Sequence, residues 1–240
     1  MASISSSMKR FANGFKLGVE HACPDCSSTI IYCPFGGATE STTGLACPGT
    51  FADAVFGVGV AKYLITTVGV DVIFGVGGLT GSAGIKYASA PQGTAVVIAG
   101  RTTFNGTKTE AAAPYVVGVD SDEYFTTFES GAWPGAPKLI SSALKRVDVS
   151  VQLAIENYFT GVAAGSNFRL DCSNDGVGFA PAHDASAVVT TAITAEATDV
   201  YNLMAAGLFS TRVGVRAVAT RLMRELAVAR RRACRVAWRA

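Results

Sequence analysis

The stretch Asp71-Val-Ile-Phe-Gly-Val-Gly-Gly-Leu-Thr-Gly81 constrains the chain more than any other. An apolar run (Val72, Ile73, Phe74) passes directly into Gly75, Gly77, Gly78 and Gly81, the pattern of a buried parallel strand entering a glycine-rich turn. Residues 82–89 then resume with helical character, so the unit is strand, tight turn, helix start. Ligands of open α/β sheets sit at the carboxyl ends of such strands. A second unit, Tyr115-Val-Val-Gly-Val-Asp-Ser-Asp122, ends in two carboxylates, and Lys145 with Arg146 is expected to open the helix that follows Leu139 and Ile140. An aromatic-plus-glycine turn, an acid pair and a basic pair at three strand ends make a pocket constellation.

Composition fits a folded α/β chain. Of 240 residues, 49% are hydrophobic and 16% charged, which argues against disorder and allows one large domain or two small ones. The longest uncharged stretches, 72–85 and 87–100, are too short and too rich in glycine, serine or proline for a membrane span, so none is expected. The net charge of +2 conceals a split: residues 212–240 carry nine arginines against the single acid Glu225, whereas the body has eleven bases against seventeen acids. No nucleic-acid footprint is expected on that body. The first ten residues lack the apolar core of an export signal. The chain therefore divides into residues 9–211 and an Arg-rich tail, 212–240. The tail reads as a basic amphipathic helix for an acidic membrane or nucleic acid or, the preferred reading, as an artefact of a wrong exon or shifted frame.

Along the chain, an amphipathic helix is expected around residues 9–20, a first strand at 28–32, a Pro-, Gly-, Thr- and Cys-rich loop at 33–49 and a long helix at 51–67. A short helix at 85–90, a strand-like run at 94–99, a polar excursion at 101–113 and a loop at 123–138 follow. Ser141 or Ser142 is expected to cap a helix carrying Val147, Val151, Ala154, Ile155 and Tyr158 at helical intervals. Two short strands (167–172 and 176–180) and a helix (192–208) complete the pattern. Cys23-Pro-Asp-Cys26 has the spacing of a redox or zinc half-site. No metal site is expected; disulfides among Cys23, Cys26, Cys33 and Cys47, or reduced thiols, both fit.

Three chemical readings compete at the strand ends. Phe74 either stacks on a planar ring or fills the core. Gly75-x-Gly-Gly-x-x-Gly81 matches a dinucleotide fingerprint in spacing only, with no acid about 20 residues on. Asp120 either accepts hydrogen bonds from vicinal hydroxyls or serves as a turn acid, and Lys145 either joins it or pairs with Asp148 along a helix. No nucleophile elbow exists, and neither His21 nor His183 stands in a triad context, so no catalytic residues and no cofactor are expected.

Six segments in order resemble the basic membrane protein family of purine nucleoside receptor lipoproteins serving ABC transporters. They are Phe11-Ala-Asn-Gly-Phe-Lys-Leu-Gly-Val19, Gly49-Thr-Phe-Ala-Asp53, Val70-Asp-Val-Ile-Phe74 with Gly77-Gly-Leu-Thr-Gly81, Val117-Gly-Val-Asp-Ser-Asp122, Ser141-Ser-Ala-Leu-Lys-Arg-Val-Asp148 and Asp175-Gly-Val-Gly-Phe-Ala-Pro181. The resemblance implies an α/β, type I periplasmic-binding-protein-like fold: a Rossmann-like, doubly wound parallel sheet, mostly the carboxyl-terminal lobe of two, with the amino-terminal lobe largely missing. It implies a non-catalytic nucleoside receptor, extracytoplasmic or membrane-associated, that partners an ABC permease. Phe74 and Val76 would line the base site, Gly77 and Gly78 would let backbone approach the ligand, and Asp120 with Lys145 would hold the ribose hydroxyls. The alternatives are an α/β enzyme taking a nucleotide or sugar phosphate at the same strand ends, or a non-functional fragment.

Overall fold

The computed structural model describes residues 5–31, 44–45, 50–162, 165 and 169–209. The expectations for 212–240 and for Tyr32, Cys33 and Cys47 lie outside the described residues. The order is α1 (Ser5–Ala22), α2 (Ala54–Tyr63), β1 (Val72–Phe74), α3 (Leu79–Ser89), β2 (Ala95–Ile98), β3 (Phe104–Thr107), β4 (Tyr115–Asp120), β5 (Leu139–Lys145), α4 (Val147–Phe159), β6 (Val177–Phe179) and α5 (Thr191–Ala205). The fold class is α/β. Its main sheet runs β1-β4-β5-β6, with β1, β4 and β5 parallel and β6 antiparallel to β5. β2 and β3 form a separate antiparallel hairpin.

Local chemistry starts α2 cleanly. The Asp53 carboxylate accepts from Phe56 N at 2.9 Å, satisfying a free N–H of the first turn. The helix ends through a π-turn, Leu64–Val68, at Gly69, whose left-handed backbone (φ +73°) suits a residue without a Cβ. α3 enters directly from the glycine turn. A Cβ on Gly84 would stand 2.9 Å from Gly57 O, and one on Gly57 would fall on the Thr80 carbonyl oxygen, so α2 and α3 approach nearly backbone to backbone. Val58, Ile73, Ile85, Tyr87 and Val116 close the core between these helices and the sheet. Because successive strand residues face opposite sides, Phe74 turns away from Ile73 and meets Phe15 of α1, ring centroids 5.1 Å apart.

The hairpin is held at its root by a buried polar group. Lys108 is fully buried, with Nζ 3.5 Å from Glu110 Oε2 and 4.9 Å from the Tyr87 ring centroid. Burial pulls its pKa down, with Glu110 opposing.

Several expectations are corrected. Residues 28–31 are not a strand; they run irregularly beside the outer edge of β1. Leu139 and Ile140 do not lead into a helix capped by Ser141 or Ser142: the segment continues as β5 to Lys145, because each residue from Ser141 to Leu144 finds a parallel partner on β4. The helix with the best apolar periodicity therefore starts at Val147. The polar excursion 101–113 contains β3, and within the described part of 167–172 a turn capped by Asp171 replaces the strand.

The close approach at Gly57 gives opposed expectations for two helical glycines. Gly57→Ala is expected to destabilise the chain by about 1–3 kcal/mol through overpacking. Gly18→Ala, where a new Cβ meets nothing within 4 Å, is expected to stabilise it by about 0.5–1 kcal/mol. Urea unfolding of both variants checks this, the two midpoints moving in opposite directions.

Candidate functional site

The carboxyl ends of β4 and β5 bring the strongest group of charges together. β4 ends at Asp120, whose backbone is left-handed (φ +69°), an uncommon state for a residue with a side chain. Asp120 pairs across the sheet with Leu144, which sets its carboxylate beside the next residue, Lys145. Asp120 Oδ1 lies 3.3 Å from Lys145 Nζ, the side chains 44% and 55% exposed, so both can reach a ligand. The alternative, a Lys145–Asp148 pair, is not formed: Arg146 holds Asp148 instead, at 2.7 Å.

Two residues on, Asp122 Oδ2 lies 2.7 Å from His183 Nε2. The His183 ring stacks on Tyr124 at 4.0 Å, and Phe125 stands edge-on to both. Tyr124 OH donates to the Asp184 carboxylate at 3.3 Å. Partial burial and the Asp184 charge raise the Tyr124 pKa. The segment beyond β6 is thus clamped onto the turn after β4. This pair went unread in the sequence, where 61 residues separate its members. The available signal was the proximity of His183 to the segment 175–181, which follows the strand-end motifs in order.

Beneath these groups sits a buried acid. Glu123 is 2% exposed; its Oε1 accepts from Val119 N at 3.1 Å, its backbone N donates to Ser142 Oγ at 3.1 Å, and its Oε2 has no hydrogen-bond partner. Burial pushes its pKa up, against the pull of Thr127 and the Val119 N–H.

The other site residues fall elsewhere along the sheet end. Phe74 and Val76 line a cavity of about 490 Å³ between α1, residues 26–31, α2 and β1; Asp120 and Lys145 are not among its lining residues. Gly77 (φ +120°) and Gly78 (φ +58°) have the backbone freedom the turn needs. Chain already packs against both, since added Cβ atoms would stand 3.3 Å from Met8 Cε and 3.2 Å from Phe51 Cβ. The predicted constellation is therefore two groups: Asp120 with Lys145, and Phe74 with Val76. Among the described residues no cluster of three or more His, Cys, Asp or Glu could hold a metal ion, and no helix is long and apolar enough to cross a membrane.

No family model matches the chain, and no curated protein does. Among solved structures, similarity extends to an ABC transporter system solute-binding protein from Aeropyrum pernix K1, at 22% identity and a TM-score of 0.37, covering 77% of this chain and 39% of that one. The chain thus spans well under half the length of that protein.

Glu123 makes stability pH-dependent in a defined direction. A carboxyl whose pKa is raised by folding binds its proton more tightly in the native state, so its contribution is fully present below the unfolded value. It is lost as pH rises from the ordinary 4.5 through the higher native value. Thermal unfolding between pH 4 and 8 is expected to show this decline for the natural chain. In Glu123→Gln the decline should flatten.

Proposed function

We propose that this chain is a ligand-holding lobe of a solute receptor for nucleosides, most naturally purine nucleosides, working with an ABC transporter permease on the extracytoplasmic side. The observation that carries this reading is the ion pair of Asp120 and Lys145 at the carboxyl ends of adjacent parallel strands. A carboxylate there accepts hydrogen bonds from two vicinal hydroxyls and the ammonium donates to one, the demand a ribose makes. The order of the segments that resemble the basic membrane protein family points the same way. In this reading Asp120 and Lys145 hold the sugar, while Phe74 and Val76 line a separate cavity and Gly77 and Gly78 are covered by Met8 and Phe51, so these four take no part at the pair. The protein binds and releases its ligand without chemistry on it.

One observation favours a second reading. A histidine 2.7 Å from a carboxylate at the same sheet end has the geometry of an oriented general base, which suits an α/β enzyme acting on a nucleotide or sugar phosphate.

Calorimetric titration with adenosine, guanosine and inosine, each beside its nucleotide, separates the readings. The receptor is expected to bind the nucleosides without requiring phosphate. Asp120→Asn and Lys145→Met are each expected to weaken binding at least tenfold, about 1.4 kcal/mol. Binding that demands phosphate and falls away in His183→Gln transfers the assignment to the enzyme. Silence from every nucleoside and nucleotide removes the receptor and the nucleotide form of the enzyme.

A further inference from the structure

The outer edge of β1 is unpaired among the described residues, since β1 ends the sheet and only β4 adjoins it. Tyr115 N donates to Asp71 O and Gly75 N to Val117 O, so the odd positions of this stretch face β4. Val72 and Phe74 therefore turn their backbone N–H and C=O groups to the open side, as alternate residues of a parallel strand do. Across the 490 Å³ cavity on that side runs 26–31, which contains the β-branched Thr29, Ile30 and Ile31. Ile30 is 44% exposed there. A strand-forming segment and an unpaired strand edge thus face each other across a gap.

What sets the width of the gap is the turn before the segment. Cys23 N donates to Val19 O at 2.8 Å and Cys26 N to Cys23 O at 3.0 Å, so the turn continues the last turn of α1. The Cys23–Cys26 disulfide closes it into a four-residue loop. α1 is itself seated on β1 through Phe15 and Phe74. The disulfide therefore fixes where 27–31 begins relative to the sheet edge. Cys26, Pro24 and Asp25 are exposed, which leaves the sulfur pair open to an external thiol.

We propose that Cys23–Cys26 is a thiol–disulfide exchange site that governs whether residues 28–31 join the sheet as a fifth strand, parallel to β1. α2 lies between the two in sequence, giving the strand–helix–strand connection that parallel neighbours require. The co-reactant is a dithiol. Its thiolate attacks Cys26 Sγ, and Cys23 leaves as a thiolate that takes up a proton. The second thiol of the reductant then attacks the mixed disulfide, releasing Cys26, which is protonated in turn. Two electrons and two protons pass to the pair, and the reductant leaves as its own disulfide. Freed from Cys23, the turn opens, residues 28–31 reach the edge, and the groups of Val72 and Phe74 gain partners while Ile30 is covered.

The experiment is amide hydrogen exchange on the full chain, oxidised and in dithiothreitol, alongside the Cys23→Ser/Cys26→Ser double variant as a permanently open loop. Exchange at Val72, Phe74 and Ile30 is expected to slow at least tenfold in dithiothreitol and equally in the double variant. Equal exchange in oxidised and reduced protein overturns the proposal. So does slowing by dithiothreitol that the double variant fails to reproduce, because another pair is then responsible. Failure of the two thiols to appear by alkylation and mass analysis also overturns it.

Discussion

The contact on which the structure depends is the near backbone-to-backbone approach of α2, α3 and the exit of β1. It requires hydrogen in place of a side chain at Gly57 and Gly84, where the helices meet, and at Gly75 and Gly81, where a Cβ on Gly81 would stand 2.7 Å from the Gly75 carbonyl carbon. Given this approach, α3 lies low on the sheet and Ile85 reaches Ile73 and Val116 in one core. The same contact accounts for the glycine-rich turn without a ligand. Four glycines in eleven residues resemble a phosphate cradle in composition, yet two of them serve packing, and the pair with left-handed backbone is faced by Met8 and Phe51.

Further along the same face of the sheet, toward the carboxyl ends of the strands, β4 and β5 are joined by a buried acid in place of a buried apolar side chain. Gly118 has no room for a Cβ, which would stand 2.6 Å from Ser142 Oγ and 2.9 Å from Glu123 Cγ. Glu123 accordingly folds under its own strand and links β4 to β5 through Val119 N and Ser142 Oγ. This anchors the turn carrying Asp120, Asp122 and Tyr124, and the turn in turn positions His183 from a segment far along the chain. The charges at the surface thus rest on a base that is polar, buried and, at Glu123 Oε2, without a hydrogen-bond partner. Such an arrangement is sensitive to substitution.

Much of this was legible in the chain because it is local. The strands at Val72 and Tyr115, the helical stretches beginning near 54 and 191 and the apolar periodicity of α4 follow from apolar runs, caps and order along the sequence, whereas the meeting of Asp120 with Lys145 was implied only by the family resemblance and depends on β5 reaching Lys145. What escaped reading is what tertiary contact decides. Residues 139–145 carry two serines before a helical pattern and read as a cap, yet the unpaired edge of β4 recruits them as a strand. Residues 28–31 have strand composition and find no pairing partner. The periodicity of α4 was plain, but what its apolar face meets was not: Val147, Val151, Ile155 and Phe159 all remain more than half exposed. His183 joins Asp122 over a sequence distance that no spacing rule covers.

Under the proposed function, the Asp120–Lys145 pair is a ligand site for an energetic reason. Both side chains are about half exposed, and an ion pair so placed contributes at most about 1 kcal/mol to stability. Left-handed backbone at a residue with a side chain costs roughly 1–3 kcal/mol, and Asp120 adopts it at the end of an otherwise regular strand. Folding alone therefore gains nothing from this geometry; a glycine at the strand end would relieve the strain and lose little. What the geometry does provide is a carboxylate and an ammonium held at a fixed spacing and open on one side. A ligand whose hydroxyls replace water on both groups would meet them already positioned, so little ordering free energy would be spent on binding.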